Sequence, residues 1–278
     1  MTKRSVPFLA RWLGICALLL GTAPALAQGT AAPAKPAVAA QPAKSDWQFT
    51  LGGMIGVAPK YEGGEKLVLG GLPILEVEWK ERLFLSSTRG IGGYIVSTDA
   101  LRVSAALGYA PGRDEKDGKP KSGGVNRLRG LGDIDASAVA SLGAEYEFSV
   151  FTASLTANRY IGGSDGFTVK AGLGAAYPIT DKLRLGAELS STWADSAYMG
   201  DYFGIDAAQS RRSGRKAYKA EAGLKDVGVT LSANYRFNNY TTLMMSGGLS
   251  RLLGDAGSSP VVAEKNQPSA MLGLSYRF

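Results

Sequence analysis

The last ten residues, Ser269-Ala270-Met271-Leu272-Gly273-Leu274-Ser275-Tyr276-Arg277-Phe278, alternate with period two up to the final position. Ala270, Leu272, Leu274, Tyr276 and Phe278 share one side of an extended strand. Ser269, Met271, Gly273, Ser275 and Arg277 share the other. Two architectures use such a strand: a soluble sandwich, as an edge that happens to end in Phe, and a membrane barrel, as its last strand.

Tyr276 and Phe278 resemble the terminal signal by which bacterial outer-membrane barrels reach their assembly machinery. The other end of the chain agrees. Lys3, Arg4 and Arg11 precede a short apolar run, residues 12–20, and Ala25-Leu26-Ala27 matches a small-x-small cleavage pattern. Residues 1–27 therefore read as a secretory signal cut after Ala27. The run is shorter than the roughly 20 apolar residues of a spanning helix, and no other stretch supplies them. Removing the signal's three basic residues from the chain's 31 leaves 28 against 24 acidic ones, a net +4. That excess is mild and scattered, so nucleic acid is not an expected partner. The lone Cys16 leaves with the signal, and the chain has no histidine. Disulfides, thiolate or imidazole metal sites and histidine-based catalysis are thereby excluded from the mature chain. Residues 28–45 are rich in Ala, Pro and Lys and read as a flexible periplasmic tail. The remainder, 46–278, reads as one unit.

That unit is strand after strand. Trp47, Phe49, Leu51, Ile55 and Val57 alternate with Gln48, Thr50 and Met54. Leu101, Val103, Leu107 and Tyr109 alternate with Arg102 and Ser104. Even positions from Ile134 to Phe148 are apolar, and odd ones include Asp133, Asp135, Glu145 and Glu147. Leu183, Leu185, Leu189 and Trp193 oppose Arg184 and Glu188; Val227, Val229, Leu231 and Tyr235 oppose Asp226, Thr230 and Arg236. The strands are long and aromatics such as Trp47, Trp79, Tyr146, Phe148, Tyr160 and Tyr177 gather at their ends, as in a tilted membrane barrel with aromatic girdles. Short turns near 80–82, 98–100, 148–150, 179–182 and 238–240 alternate with longer connections at 58–66, 87–91, 111–132, 162–166, 195–216 and 254–268. The expected fold is all-β: a transmembrane antiparallel β-barrel of twelve strands, short turns in the periplasm and long loops outside. The count requires 83–97 to be two strands bent at Arg89-Gly90; as one strand, parity would fail.

The inward set then carries Arg102, Glu145, Glu147, Lys170, Arg184, Glu188 and Arg236, as pairs filling the lumen or as the lining of a pore. Asp133 and Asp135 would share a strand face, without the cleft a glycosidase needs. The acidic runs at 114–117 and 195–201 have oxygen ligands for cations that bridge lipopolysaccharide, or are solvated loops. The cluster 210–216 (SRRSGRK) suits anionic headgroups or solvent. Serine is plentiful but lacks an activating base.

Nine segments in order resemble the MltA-interacting protein family (MipA/OmpV) of outer-membrane proteins: PKYEG at 59–63, Leu72-Pro73, RGLGDI at 129–134, YFGI at 202–205, Ser213-Gly214, GLKDVG at 223–228, SRLLGD at 250–255, Ser259-Pro260 and LSYRF at 274–278. The resemblance implies a bacterial outer-membrane barrel, in contact with outer-membrane lipid and lipopolysaccharide, with no catalytic residue, cofactor or metal to carry over. In the family's named member the role is a scaffold that tethers a lytic transglycosylase to a murein synthase. Three readings stay open: a non-enzymatic scaffold presenting its periplasmic turns and residues 28–45, a small-solute channel, and a surface adhesin or factor in envelope stress and antibiotic sensitivity.

Overall fold

The computed structural model describes residues 46–118 and 126–278. The signal with Ala27, the 28–45 segment and residues 119–125 lie outside the described residues. Twelve strands close into one antiparallel barrel. They are β1 (Trp47–Pro59), β2 (Leu67–Trp79), β3 (Leu83–Ser86), β4 (Gly90–Ser97), β5 (Leu101–Ala110), β6 (Ser137–Phe148), β7 (Phe151–Gly162), β8 (Phe167–Pro178), β9 (Leu183–Ala194), β10 (Gly223–Arg236), β11 (Thr241–Leu252) and β12 (Asn266–Arg277). β1 and β12 close the ring from Thr50↔Arg277 to Val57↔Ala270, and the Phe278 N–H donates to the Phe49 carbonyl at 2.9 Å. The terminal decapeptide is thus the closing strand.

Alternation sorts the two faces. Leu69, Ile91, Leu107, Leu189 and Leu231 stand outside and are more than 60% exposed. Large exposed apolar side chains on every strand form a continuous outer band, which is stable only against hydrocarbon. Inward residues at the same heights are polar or small, including Thr50, Ser104, Thr168 and Thr230. Residues 83–97 are two strands, β3 and β4, joined at 87–89. Gly90 makes that bend: its φ is +81°, and a Cβ there would lie 2.0 Å from the Leu107 carbonyl oxygen.

The short-turn end carries a dense aromatic girdle. Trp47 lies 6.2 Å from Trp79, Phe148 5.5 Å from Phe151, and Tyr276 4.9 Å from Phe278. The opposite girdle is sparser, with Tyr109 and Trp193 exposed. Tyr160 does not belong to it. In β7 the even residues point inward, and Tyr160 is buried against Tyr198 at 5.2 Å. A second correction concerns Asp133 and Asp135. β6 starts at Ser137, so they lie in the preceding loop, where Ile134 makes an isolated bridge with Arg113 and Asp133 Oδ1 accepts from the Glu115 N–H at 2.6 Å. They form no strand-face carboxylate pair.

Candidate functional site: the capped mouth

The long loops fold together over one mouth of the barrel. The largest, between β9 and β10, holds α1 (Ser196–Phe203) and α2 (Ala207–Ser213). α1 starts where it does because Asp195 caps it: its Oδ1 accepts from the Tyr198 N–H at 2.8 Å and from the Phe167 N–H at 3.0 Å. That second bond pins the helix to the first residue of β8. Gly166 allows the approach, since a Cβ there would lie 2.5 Å from the Tyr198 Cβ. α1 then drops Tyr198, Met199 and Phe203 into the mouth. They pack in one buried cluster with Ala110, Tyr160, Ala194 and Leu252, the last inward side chains of β5, β7, β9 and β11. Small alanines at two of these strand ends leave the volume that Phe203, itself fully buried, takes up.

The other loops fasten the plug. Ser259 Oγ donates to the Phe203 carbonyl, and Tyr218 Oη to the Asp255 carbonyl at 2.8 Å. Gln209, in the capping box that starts α2, donates to the Leu131 carbonyl at 2.8 Å. The Glu115 carboxylate accepts from the N–H groups of Gly130 and Gly132 at 2.9 and 3.2 Å. Tyr61, Leu128, Leu131, Ile205 and Val261 form a second apolar cluster there.

A charged cluster sits beneath. Lys225 Nζ lies 2.5 Å from Glu62 Oε1 and 3.0 Å from Asp226 Oδ2, and Tyr198 Oη donates to Glu62 Oε2 at 3.1 Å. Lys225 and Asp226 are consecutive, yet both are buried. A β-bulge between Leu224 and Asp226 makes this possible by adding a residue to β10. Burial, and then the Glu62 carboxylate, hold the Tyr198 phenol well above its ordinary value. Arg113 donates to the Tyr202 carbonyl at 2.6 Å, and burial pushes its guanidinium down from its ordinary value. Each of these groups fastens loops over the mouth.

The charges read from parity lie elsewhere, along the wall. Lys170 and Glu188 are 3.6 Å apart. Arg102 is buried, opposite Glu145 in register and 5.0 Å from the Tyr94 ring. Glu147 is opposite Thr152 near the short-turn end. Arg184 donates to the Ala176 carbonyl at 3.3 Å, and Arg236 to the Asp181 carbonyl at 2.6 Å. None of the seven is in the cap. The acidic and basic loop runs are also tied up: Asp117 pairs with Lys60 at 3.3 Å, Asp201 accepts from Ser164, and Arg212 and Arg215 donate to the carbonyls of Gly130 and Asn126.

Parity missed Glu62, Arg113 and Lys225. Only Lys225 left a trace: a charge at an otherwise apolar outward position of β10 is a sign of a bulge. It also missed a wall cluster in which Arg89 meets Glu76 at 2.9 Å and Glu78 at 3.7 Å and donates to Tyr94 Oη at 3.0 Å. The alternation of Glu76 and Glu78 with Leu75, Val77 and Trp79 carried that signal.

The family described as MltA-interacting protein MipA matches residues 51–278. A putative outer membrane protein, YiaT, of Escherichia coli (strain K12) is 31% identical over 97 residues, 35% of this chain and 39% of its own length. The match thus spans well under half of that relative. Among solved structures, the KdgM porin aligns with 82% of this chain and 99% of its own at 8% identity and a TM-score of 0.42. OmpT of Vibrio cholerae aligns with 84% and 97% at 10% identity and a TM-score of 0.36. The barrel sits in the bacterial outer membrane, its short turns in the periplasm and its capped mouth outside.

Proposed function

The chain belongs to the MltA-interacting protein MipA family, and from that premise we propose that it is a non-enzymatic, non-conducting outer-membrane scaffold. Its periplasmic face docks a lytic transglycosylase and, through it, a murein synthase. The observation that carries this reading is the filled outer mouth: Tyr198, Met199 and Phe203 are buried among inward strand-end residues that are themselves 0–6% exposed. A channel needs an aqueous path where this packing lies. A barrel without one offers its partners a surface, and the surface toward peptidoglycan is the set of periplasmic turns together with residues 28–45.

One turn supports docking by its own geometry. The β2–β3 connection places Lys80 and Glu81 at φ +50° and +54°. The Arg82 N–H closes the turn on the Trp79 carbonyl at 2.9 Å, and a turn with two left-handed central residues favours Asn-Gly there. Here two charged side chains hold the left-handed conformation instead, beside Trp79 and an ion pair of Lys80 with Asp46 at 3.3 Å. Strain kept at an exposed tip marks a site under functional demand.

The test is retention of the detergent-purified barrel on an immobilised lytic transglycosylase. The proposal expects retention, and its loss when the turns at 80–82, 98–100 and 179–182 are replaced by Asn-Gly hairpins and residues 28–45 are removed. Equal retention after every periplasmic turn is replaced, or none with the native barrel, contradicts it.

A further inference from the structure

β3 and β4 are the shortest strands of the wall. β3 has 4 residues and β4 has 8, against 13 in β2. β2 pairs with β3 only from Glu76 to Trp79, and the Ser87 N–H adds a bond to the Leu75 carbonyl at 2.9 Å. From Leu67 to Ile74, β2 pairs only with β1. Across the gap, β5 pairs with β4 as far as Leu107, so Gly108, Tyr109 and Ala110 pair only with β6. The outer half of the wall therefore has a window between β2 and β5. Its sill is the 87–89 turn. Above it, the Lys60–Asp117 pair joins the β1–β2 loop to the β5–β6 loop. The two absent strand halves leave it about 14 Å wide at a strand spacing of ~4.8 Å.

The edges are built to stay open. Gly70, Gly71 and Pro73 line one side, Gly108 the other. A Cβ on Gly70 would meet no atom within 4 Å, and one on Gly71 would meet only β1. Leu75 turns its N–H away from β1, toward Ser87 Oγ at 3.2 Å. By the alternation of the ladder Pro73 faces the same way, and it has no N–H to give. A further strand cannot zip along this edge.

Height places the window in the outer leaflet. At ~3.3 Å per residue and ~40° of tilt, Leu75 stands about 10 Å above Trp79 and Leu69 about 25 Å, the height of the apolar band. The window thus opens from mid-membrane to the outer headgroup level. Along the β2 edge of the window the inner wall is apolar. Met54, Leu72, Ile74, Met244 and Met271 form an apolar strip on the β1–β2 and β11–β12 wall, in contrast to the polar interior usual in such barrels. On the other side a cavity of about 80 Å³ is lined by Tyr109, Ser141 and Asn158.

We propose that this window admits the acyl chain of an outer-leaflet lipid into the lumen. The chain lies along the methionine-rich strip, where thioethers adapt to a flexible hydrocarbon. Its ester or amide carbonyl stays near Leu69 and Gly71, where it can accept from the backbone N–H groups that β2 turns toward the window.

The test uses the mature protein in vesicles containing a phosphatidylethanolamine with a mid-chain diazirine, followed by irradiation and mapping of labelled residues by mass spectrometry. Labelling of Met54, Met244 and Met271 is expected, with at least tenfold less in the double variant Gly71→Phe, Gly108→Phe. The lipid-facing Leu231 and Leu274 serve as an unchanged reference. Labels confined to outward residues in the native protein overturn the proposal, and that comparison needs no variant. Lumen labelling undiminished in a double variant that retains the heat-dependent gel mobility of a folded barrel overturns it equally.

Discussion

Lys225 shows how much one residue holds. Its ammonium is buried between Glu62 and Asp226, and Glu62 in turn accepts the Tyr198 hydroxyl that seats α1. Removing one partner of a buried ion pair leaves charge without compensation. Lys225→Met is expected to destabilise the cap by about 3 kcal/mol, the low end of the usual range because the Glu62 side chain is more than a third exposed. Faster tryptic cleavage at Arg211 and Arg212 in folded protein measures it. Tyr198 supplies a pH signature. Its folded value is raised, so below about pH 10 both folded and unfolded phenols are protonated and its contribution is complete. Above pH 10 the unfolded chain alone releases the proton, and the contribution fades. Protection of the cap from protease should therefore fall as the pH climbs past 10, and Tyr198→Phe should flatten that fall. Parity read alone turns Lys225 toward lipid. The bulge turns it inward, and a bulge is a decision of the whole sheet that local alternation does not encode.

At the scale of elements, the strands were legible and the loops were not. Period two is a local property, so Trp47 to Val57 or Leu183 to Trp193 declare their faces wherever they sit. The split of β3 from β4 was legible too, because a single strand over 83–97 would have put the long 111–132 connection on the wrong side of the membrane. The cap is different. Asp195 reads as a loop acid until it is seen capping α1, and Asp133 reads as a strand residue until β6 is seen to begin at Ser137. These contacts join segments as far apart as Glu62 and Lys225, which no spacing announces. Most segments that carry the family resemblance, among them PKYEG, RGLGDI, YFGI and GLKDVG, meet in this cap rather than in the periplasmic turns. The β2–β3 turn yields a prediction at this scale. Glu81→Gly removes a left-handed non-glycine residue and should stabilise the barrel by about 1 kcal/mol in a urea titration. In the scaffold reading the same change weakens retention on the transglycosylase, so stability and docking move in opposite directions.

At the scale of the molecule, a ring of twelve strands pairs most of its backbone in lipid, an apolar exterior holds it there, and folded loops cap one end. In the scaffold reading that cap separates a docking barrel from a pore. The most direct measurement is planar-bilayer conductance of the native protein beside a variant in which residues 195–216, with α1, are replaced by a short Gly-Ser linker. The native barrel is predicted to stay silent over many insertions while the variant gives stepwise currents. Stepwise currents from the native barrel, equal to those of the variant, would contradict the sealed mouth and the non-conducting scaffold that rests on it.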